Sequence, residues 1–250
     1  MSSITFLSVA ISAARAAGQL LREHFGQVHE VNEFHAHDIK LELDVQAQEL
    51  ITAHLLGAFP DQAIYGEEGL AGNQASEYHW IVDPIDGTVN FFYGIPHFCI
   101  SIALRQGEQM IVGVIYDPMR EELWAVERGG VPTLNGKPIA VSQRTVLADA
   151  TLSVGLSKSK TSIASAFPLL EKYVTRARKC RLMGSAALDL AYVACGRLDA
   201  YIEQSVSLWD VAAGQILVES AGGEFSMTAR EDQPEKISVV ASSGKMDLEL

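Results

Sequence analysis

The sequence is short of positive charge, of cysteine and of long apolar runs, and each shortage closes off a class of function. Nineteen Lys and Arg face 31 Asp and Glu in 250 residues, a formal charge of −12. That deficit argues against a nucleic-acid footprint and against docking to an anionic membrane. It leaves an anionic small molecule open, because bound cations invert a local field. Cys99, Cys180 and Cys195 stand far apart and form no CxxC pair. They read as reduced thiols of a cytoplasmic protein. No apolar run reaches the length that spans a bilayer, and the first residues lack the pattern of a secretory signal. GxxxxGK[ST] and GxGxxG are missing, and no Cys stands five residues before an Arg in a phosphate-cradling loop, which removes the signatures of triphosphate, dinucleotide and cysteine-phosphatase sites. The seven histidines all fall within the first 97 residues. His35 and His37 read as a solvated loop pair and His97 as structural.

What is present is an ordinary globular composition, with apolar periodicity that changes along the chain. Residues 3–25 and 44–58 carry helical spacing, with Gly26 ending the first helix and Asp44 opening the second. Residues 27–40 between them are polar and read as a mobile loop. Strands are predicted at 63–66 and 78–82, then a meander at 98–105, 110–117 and 122–128 punctuated by turn residues. From 150 onward strands and helices alternate: strands at 150–156, 180–183, 198–203 and 237–242, helices near 162–176, 185–196 and 210–222. The expectation is an α/β (α+β) chain of two lobes in one compact unit. Residues 1–145 form an N-terminal lobe with an antiparallel sheet and residues 146–250 an α/β lobe.

The chemistry concentrates where apolar strands end in acids. "WIVDPIDGT" runs into Asp83 and Asp86, three residues apart, with Pro84 biasing Asp83 toward an extended backbone. Both carboxylates and the Ile85 carbonyl can then converge, a set of hard oxygen donors suited to Mg²⁺. Taken alone, such a pair is more often a turn that caps a helix starting near Thr88. "GEEG" at 66–69 taken alone is a solvated turn, and "WD" at 209–210 an ordinary helix start. Three separate acid sites at strand ends or helix starts are harder to dismiss together. Unpaired buried carboxylates cost several kcal/mol each, and no run of Lys or Arg accompanies them, so a metal is the economical counter-charge. "DGT" also occurs in haloacid-dehalogenase-type phosphatases, but their nucleophilic Asp stands two residues before the second Asp. Here that position is Pro84, which rules out the aspartyl-phosphate route by this motif.

"GEEG", "WIVDPIDGTVNF" and "LWDVAAGQILVESAGG" together resemble the inositol monophosphatase family, within the lithium-sensitive, metal-dependent phosphatase superfamily. The resemblance runs from the first helix to "VVASS". It implies a layered αβαβα sandwich, a homodimer, and two to three Mg²⁺ ions between the lobes. Glu67, Asp83 and the Ile85 carbonyl would hold one ion, Asp83, Asp86 and Asp210 a second, with a weaker third near Glu67. Asp44 and Thr88 would orient and activate the attacking water, so that Asp44, Thr88 and Glu67 form the catalytic set. Gly87 and Thr88 would face phosphate oxygens. Gly184, Ser185, Ala186, Glu203 and Asp210 would meet a sugar or polyol. The implied reaction is hydrolysis of a small phosphate monoester, an inositol phosphate or related polyol or sugar phosphate, with inhibition by Li⁺. Histidinol phosphate, fructose 1,6-bisphosphate and 3′-phosphoadenosine 5′-phosphate are alternative substrates, and a regulatory binding protein of the same fold is an alternative role. Neither nucleic acid nor membrane is expected as a partner. The chain departs from the family pattern at Lys40 and Leu41, where members usually carry Val-Thr, and at Ser207, where inositol-specific members often carry His.

Overall fold

The computed structural model describes residues 4–27, 31–35, 38–156, 160–230, 233 and 235–248. The chain opens with α1 (Phe6–His24), which Thr5 caps by accepting the Ser8 N–H at 3.1 Å. The α1 face turned inward is Ala10, Ala13, Ala14, Ala17 and Gly18. Small residues let it lie close: a Cβ on Gly18 would stand 2.5 Å from Tyr116 Cε1. The stretch expected to be a loop holds two short strands, β1 (Val31–His35) and β2 (Asp38–Leu41), paired antiparallel only with each other. Backbone hydrogen bonds make that hairpin, so no apolar alternation announced it. His37 lies outside the described residues. Next comes α2 (Glu42–Ala58), which begins two residues before Asp44.

The first sheet follows: β3 (Ala63–Gly66), β4 (Gly69–Gly72), β5 (Tyr78–Asp86), a one-turn α3 (Thr88–Phe92), β6 (Cys99–Gln106), β7 (Gln109–Asp117), β8 (Glu122–Glu127), β9 (Thr133–Leu134) and β10 (Lys137–Pro138). Its order is β10-β9-β8-β7-β6-β5-β3-β4, antiparallel except for the parallel pair β3 and β5. The pleat sorts its side chains by period two. Trp80 and Val82 of β5 and Ile100, Ile102 and Leu104 of β6 pack beneath α1 and α2, whereas Ile81, Cys99 and Ala103 face the other way.

The second half supplies β11 (Thr151–Val154), α4 (Lys160–Arg176), β12 (Lys179–Arg181), α5 (Ala186–Ala194), β13 (Ala200–Val206), α6 (Leu208–Ser220), β14 (Glu224–Ala229) and β15 (Ile237–Ser242). Five strands pair in the order β12-β11-β13-β15-β14. The β14 strand was not expected from sequence. Most of its side chains are exposed on this edge strand, so its residues lack the buried alternation that marks a strand. Helices α5 and α6 lie between the two sheets, where Leu188, Leu190, Val211 and Leu217 are fully buried. Tyr173 of α4 seals the outer face of the second sheet with Leu152 and Ile202. The layers are α1/α2, sheet, α5/α6, sheet, α4, the αβαβα sandwich expected.

Candidate active site

The β5 strand runs past the expected end at Val82, and its last residues make the site. Asp83 pairs with Ser101 and Asp86 with Cys99, with a bulge between them. A bulge re-aims side chains and breaks the ladder. Within it the Ile85 N–H donates to Asp83 Oδ1 at 3.0 Å. The Ile85 carbonyl lies in the same interruption and accepts Thr88 Oγ1 at 2.9 Å. The turn out of the bulge needs Gly87, whose φ of +99° is costly for a side chain and whose Cβ would press on the His97 carbonyl at 3.0 Å.

Asp86 is held from the other half of the chain. Its Oδ2 accepts Ser185 Oγ at 2.6 Å and the Ala187 N–H at 2.7 Å, and its Oδ1 accepts the Ala186 N–H at 3.3 Å. Ser185 also caps α5 by accepting the Leu188 N–H at 3.4 Å. The residues matched to a substrate loop therefore spend donors on Asp86. Asn90 ties the same loop down, donating to the Met183 carbonyl at 3.0 Å and to the His97 carbonyl at 2.8 Å.

Asp210 reaches the cleft from the first turn of α6. Ser207, not Asp210, is the N-cap, and its N–H donates to Asp210 Oδ2 at 2.7 Å. One carboxylate oxygen from each of Asp83, Asp86 and Asp210 lies within 4.8 Å of the others. Glu67 follows β3, with its N–H donating to the Val82 carbonyl at 3.0 Å, and it lines the same cleft. Gln48 of α2 fixes that turn: its Oε1 accepts the Glu68 N–H at 2.9 Å and its Nε2 donates to the Gly69 carbonyl at 3.1 Å.

Asp44 sits at the third position of α2 and is 2% exposed. Its Oδ2 accepts the Leu41 N–H at 2.9 Å, and Thr88 Oγ1 lies 3.2 Å from its Oδ1. Burial raises the Asp44 carboxyl to a pKa of about 7, against the hydrogen bond from Leu41. Asp86 is also raised to about 7, by burial first and then by Asp210, while Ser185 and the α5 amides oppose the shift. Asp83 is pushed well above the carboxylate range by burial, then by Glu67, Asp86 and Asp210.

These groups line a cavity of about 750 Å³ that continues to β11, β13 and the segment before β15. Glu203 lines its far wall, where Tyr201 Oη donates to Glu203 Oε2 at 2.5 Å, and a Cβ at Gly155 would strike the same carboxylate. Reading from sequence missed Asp189, a 2% exposed acid on the cavity wall. Ser153 Oγ donates to its Oδ2 at 2.7 Å, and its Oδ1 has no partner among the described residues. In sequence it looks like one more polar residue on an apolar helix. Lys236 was missed as well, because it is remote in sequence from every motif.

A layered α/β fold around this cleft is shared with solved phosphatases. A sequence model of the inositol monophosphatase family matches residues 4–250. The "Nus factor SuhB" of Xylella fastidiosa is 41% identical over 87% of this chain and 80% of its own. The inositol-1-monophosphatase of Mesorhizobium japonicum is 38% identical over 97% and 93%. Among solved structures, the extragenic suppressor protein suhB of Bartonella henselae superposes with a TM-score of 0.87 at 33% identity, covering 95% of this chain and 93% of that one. The inositol monophosphatase of Anabaena gives 0.83 at 35%, covering 96% and 91%. Fold and matches together define a phosphoric monoester hydrolase. The chain belongs to the inositol monophosphatase family. Among the described residues no helix is long and apolar enough to cross a membrane.

Proposed function

We propose that the protein hydrolyses a small polyol or sugar phosphate with Mg²⁺ as cofactor. The observation that carries this is the convergence of Asp83, Asp86 and Asp210 within 4.8 Å. All three offer hard oxygen, and burial first, then repulsion from the neighbouring carboxylates, raises Asp83 and Asp86. That donor set fits Mg²⁺. Glu67, Asp83 and the Ile85 carbonyl would hold one ion and Asp83, Asp86 and Asp210 a second, with a third near Glu67. When bound, such ions lower the pKa of water, neutralise the phosphate and stabilise the leaving oxygen.

The remaining steps belong to the chain itself. Asp44 and Thr88 would position the attacking water and take its proton, a role that an acid poised at about 7 fits. Gly87 and Thr88 would turn their N–H groups to phosphate oxygens. Gly184, Ser185, Ala186 and Glu203 would shape the polyol end of the cavity, with Glu203 accepting from hydroxyls. Water is the nucleophile and no phosphoenzyme forms. The active species is a cytoplasmic homodimer.

Replacing Asp83 by Asn tests the reading. Phosphate release from inositol 1-phosphate and a sugar-phosphate panel should drop by at least about 10³-fold with an unchanged circular dichroism spectrum. Full activity of Asp83→Asn at saturating Mg²⁺ would remove the reading's basis. A second, regulatory reading is supported by relatives that carry the name Nus factor SuhB, one of them 40% identical over 96% of this chain. A deletion strain separates the two: restoration of growth by Asp83→Asn protein favours regulation, and failure to restore favours catalysis.

A further inference from the structure

One cation faces the acids of the cleft. Among the described residues that line it, Glu67, Asp83, Asp86, Asp189, Glu203 and Asp210 bring carboxylates, and Lys236 alone brings an ammonium. Its position is set by the fold. The antiparallel register of β13 and β15 pairs Val206 with Ile237 and so puts Lys236 beside Ser207, where β13 passes into α6. The turn that carries it is closed by the Lys236 N–H donating to the Gln233 carbonyl at 2.8 Å and the Arg230 N–H to the Lys236 carbonyl at 3.1 Å. Arg230 Nη1 and Ser238 Oγ clamp the turn to β13, both donating to the Gln204 carbonyl, at 2.8 and 2.9 Å.

The contact that Lys236 makes is informative. Its Nζ donates to Ser207 Oγ at 2.6 Å, the hydroxyl of the residue that stands at the N-cap of α6. An ammonium whose task was to neutralise the cleft would pair with one of those carboxylates. Among the described residues Lys236 pairs with none, and a neutral hydroxyl holds it instead. An ammonium has three donors, and among the described residues only one of the three has a partner. The proposed reaction centre lies at the β5 end, near Asp83 and Thr88. Lys236 lies past Asp210, beside the second sheet, with Ser205 and Gln233 as neighbours on the cavity wall. A substrate with its scissile phosphate at the β5 end therefore has its alcohol portion toward Lys236.

We propose that Lys236 recognises a second anionic group on the alcohol portion, so that the preferred substrate is a sugar or polyol phosphate bearing another phosphate or a carboxylate. This rests on the phosphatase reading above and names the substrate class of the same site. Without Lys236 no described residue lining the cleft would bring a positive charge to a second anion there. A charge-assisted hydrogen bond of this kind is worth about tenfold or more in affinity.

The test compares three esters: a hexose bisphosphate, a phosphorylated aldonic acid and a hexitol monophosphate with no second charge. For the wild type, kcat/KM for at least one anionic ester should exceed that for the hexitol ester about tenfold or more. In Lys236→Gln that ratio should fall about tenfold or more, and Lys236→Arg should restore most of it. The ester that loses more in the Gln variant says whether phosphate or carboxylate is read. A ratio untouched by Lys236→Gln, or a wild type that prefers the neutral ester, overturns the proposal. Calorimetric binding of the hexose bisphosphate to Asp83→Asn, with and without Lys236→Gln, decides the same point without turnover. A wild type inert toward every ester would sink the phosphatase reading, whereas equal binding by both proteins would sink the role of Lys236.

Discussion

Thr88 has one hydroxyl proton and two oxygens within reach, the Ile85 carbonyl at 2.9 Å and Asp44 Oδ1 at 3.2 Å. It can donate to only one of them at a time. With Asp44 protonated, the acid donates to Thr88 and Thr88 donates to the carbonyl. With Asp44 ionised, Thr88 is free to turn toward it. The pair can thus pass a proton through one short hydrogen-bonded path, and burial keeps Asp44 poised at about 7 for that task. Thr88→Val keeps the shape and deletes the path, so kcat should fall about 10²-fold or more with little change in KM. Thr88→Ser should keep most of the activity. Equal kcat for Thr88→Val and wild type, in a steady-state phosphate assay, would show that the hydroxyl takes no part.

At the scale of elements, the two acid-bearing strand ends are useful only because helices from the other half are driven against them. Helix α6 packs on β6 and β7 so closely that there is no space for a side chain at Gly113, where a Cβ would meet Ile216 Cγ2 at 2.5 Å and the Ala213 carbonyl at 2.8 Å. Gly113→Ala should lower stability by about 1–3 kcal/mol through overpacking, read as a lower urea midpoint with an unchanged slope. It should also reduce activity, because α6 carries Asp210. Most of these elements are legible in the sequence, since α1, α2 and the β6–β8 meander carry a clear apolar period. The β1–β2 hairpin and β14 are not. The hairpin strands are only five and four residues long, too short to show a period, and β14 is an exposed edge without the buried face that imprints a pattern. Helix α6 begins at Leu208 rather than near 210 for a different reason: Ser207 and Asp210 are both good N-terminal residues, and only the backbone turn decides which of them is the cap.

At the scale of the molecule, several buried carboxylates share one cleft, which makes stability depend on pH and on cations together. Asp44 and Asp86 shift from a normal 3.8 to about 7 on folding. Between those values the folded protein binds more protons than the unfolded chain, so stability without cation should fall as pH rises through that window. Mg²⁺ competes with these protons. Its stabilisation should therefore be larger at pH 8 than at pH 6. At a hundredfold excess over Kd it is worth about 2.7 kcal/mol, roughly 5–10 °C for a chain of this size. Calorimetric scans with EDTA or with Mg²⁺ at the two pH values check this, and a Tm indifferent to Mg²⁺ at both would count against the cation site.

The sequence by itself determined the kinds of donor and their order along the chain. "DPIDGT", "GEEG" and "WD" name hard oxygen ligands, and the apolar periods name most of the elements that carry them. Which donors share one cleft was decided only by tertiary structure. The Asp86 carboxylate is aimed by amides 100 and 101 residues away in sequence, and Lys236 reaches Ser207 only through the register of two strands. Local chemistry acts over a few residues and leaves its mark in the order of side chains. Convergence depends on how layers pack, and for groups with no periodic neighbours, such as Asp189 and Lys236, the sequence carries no trace of it.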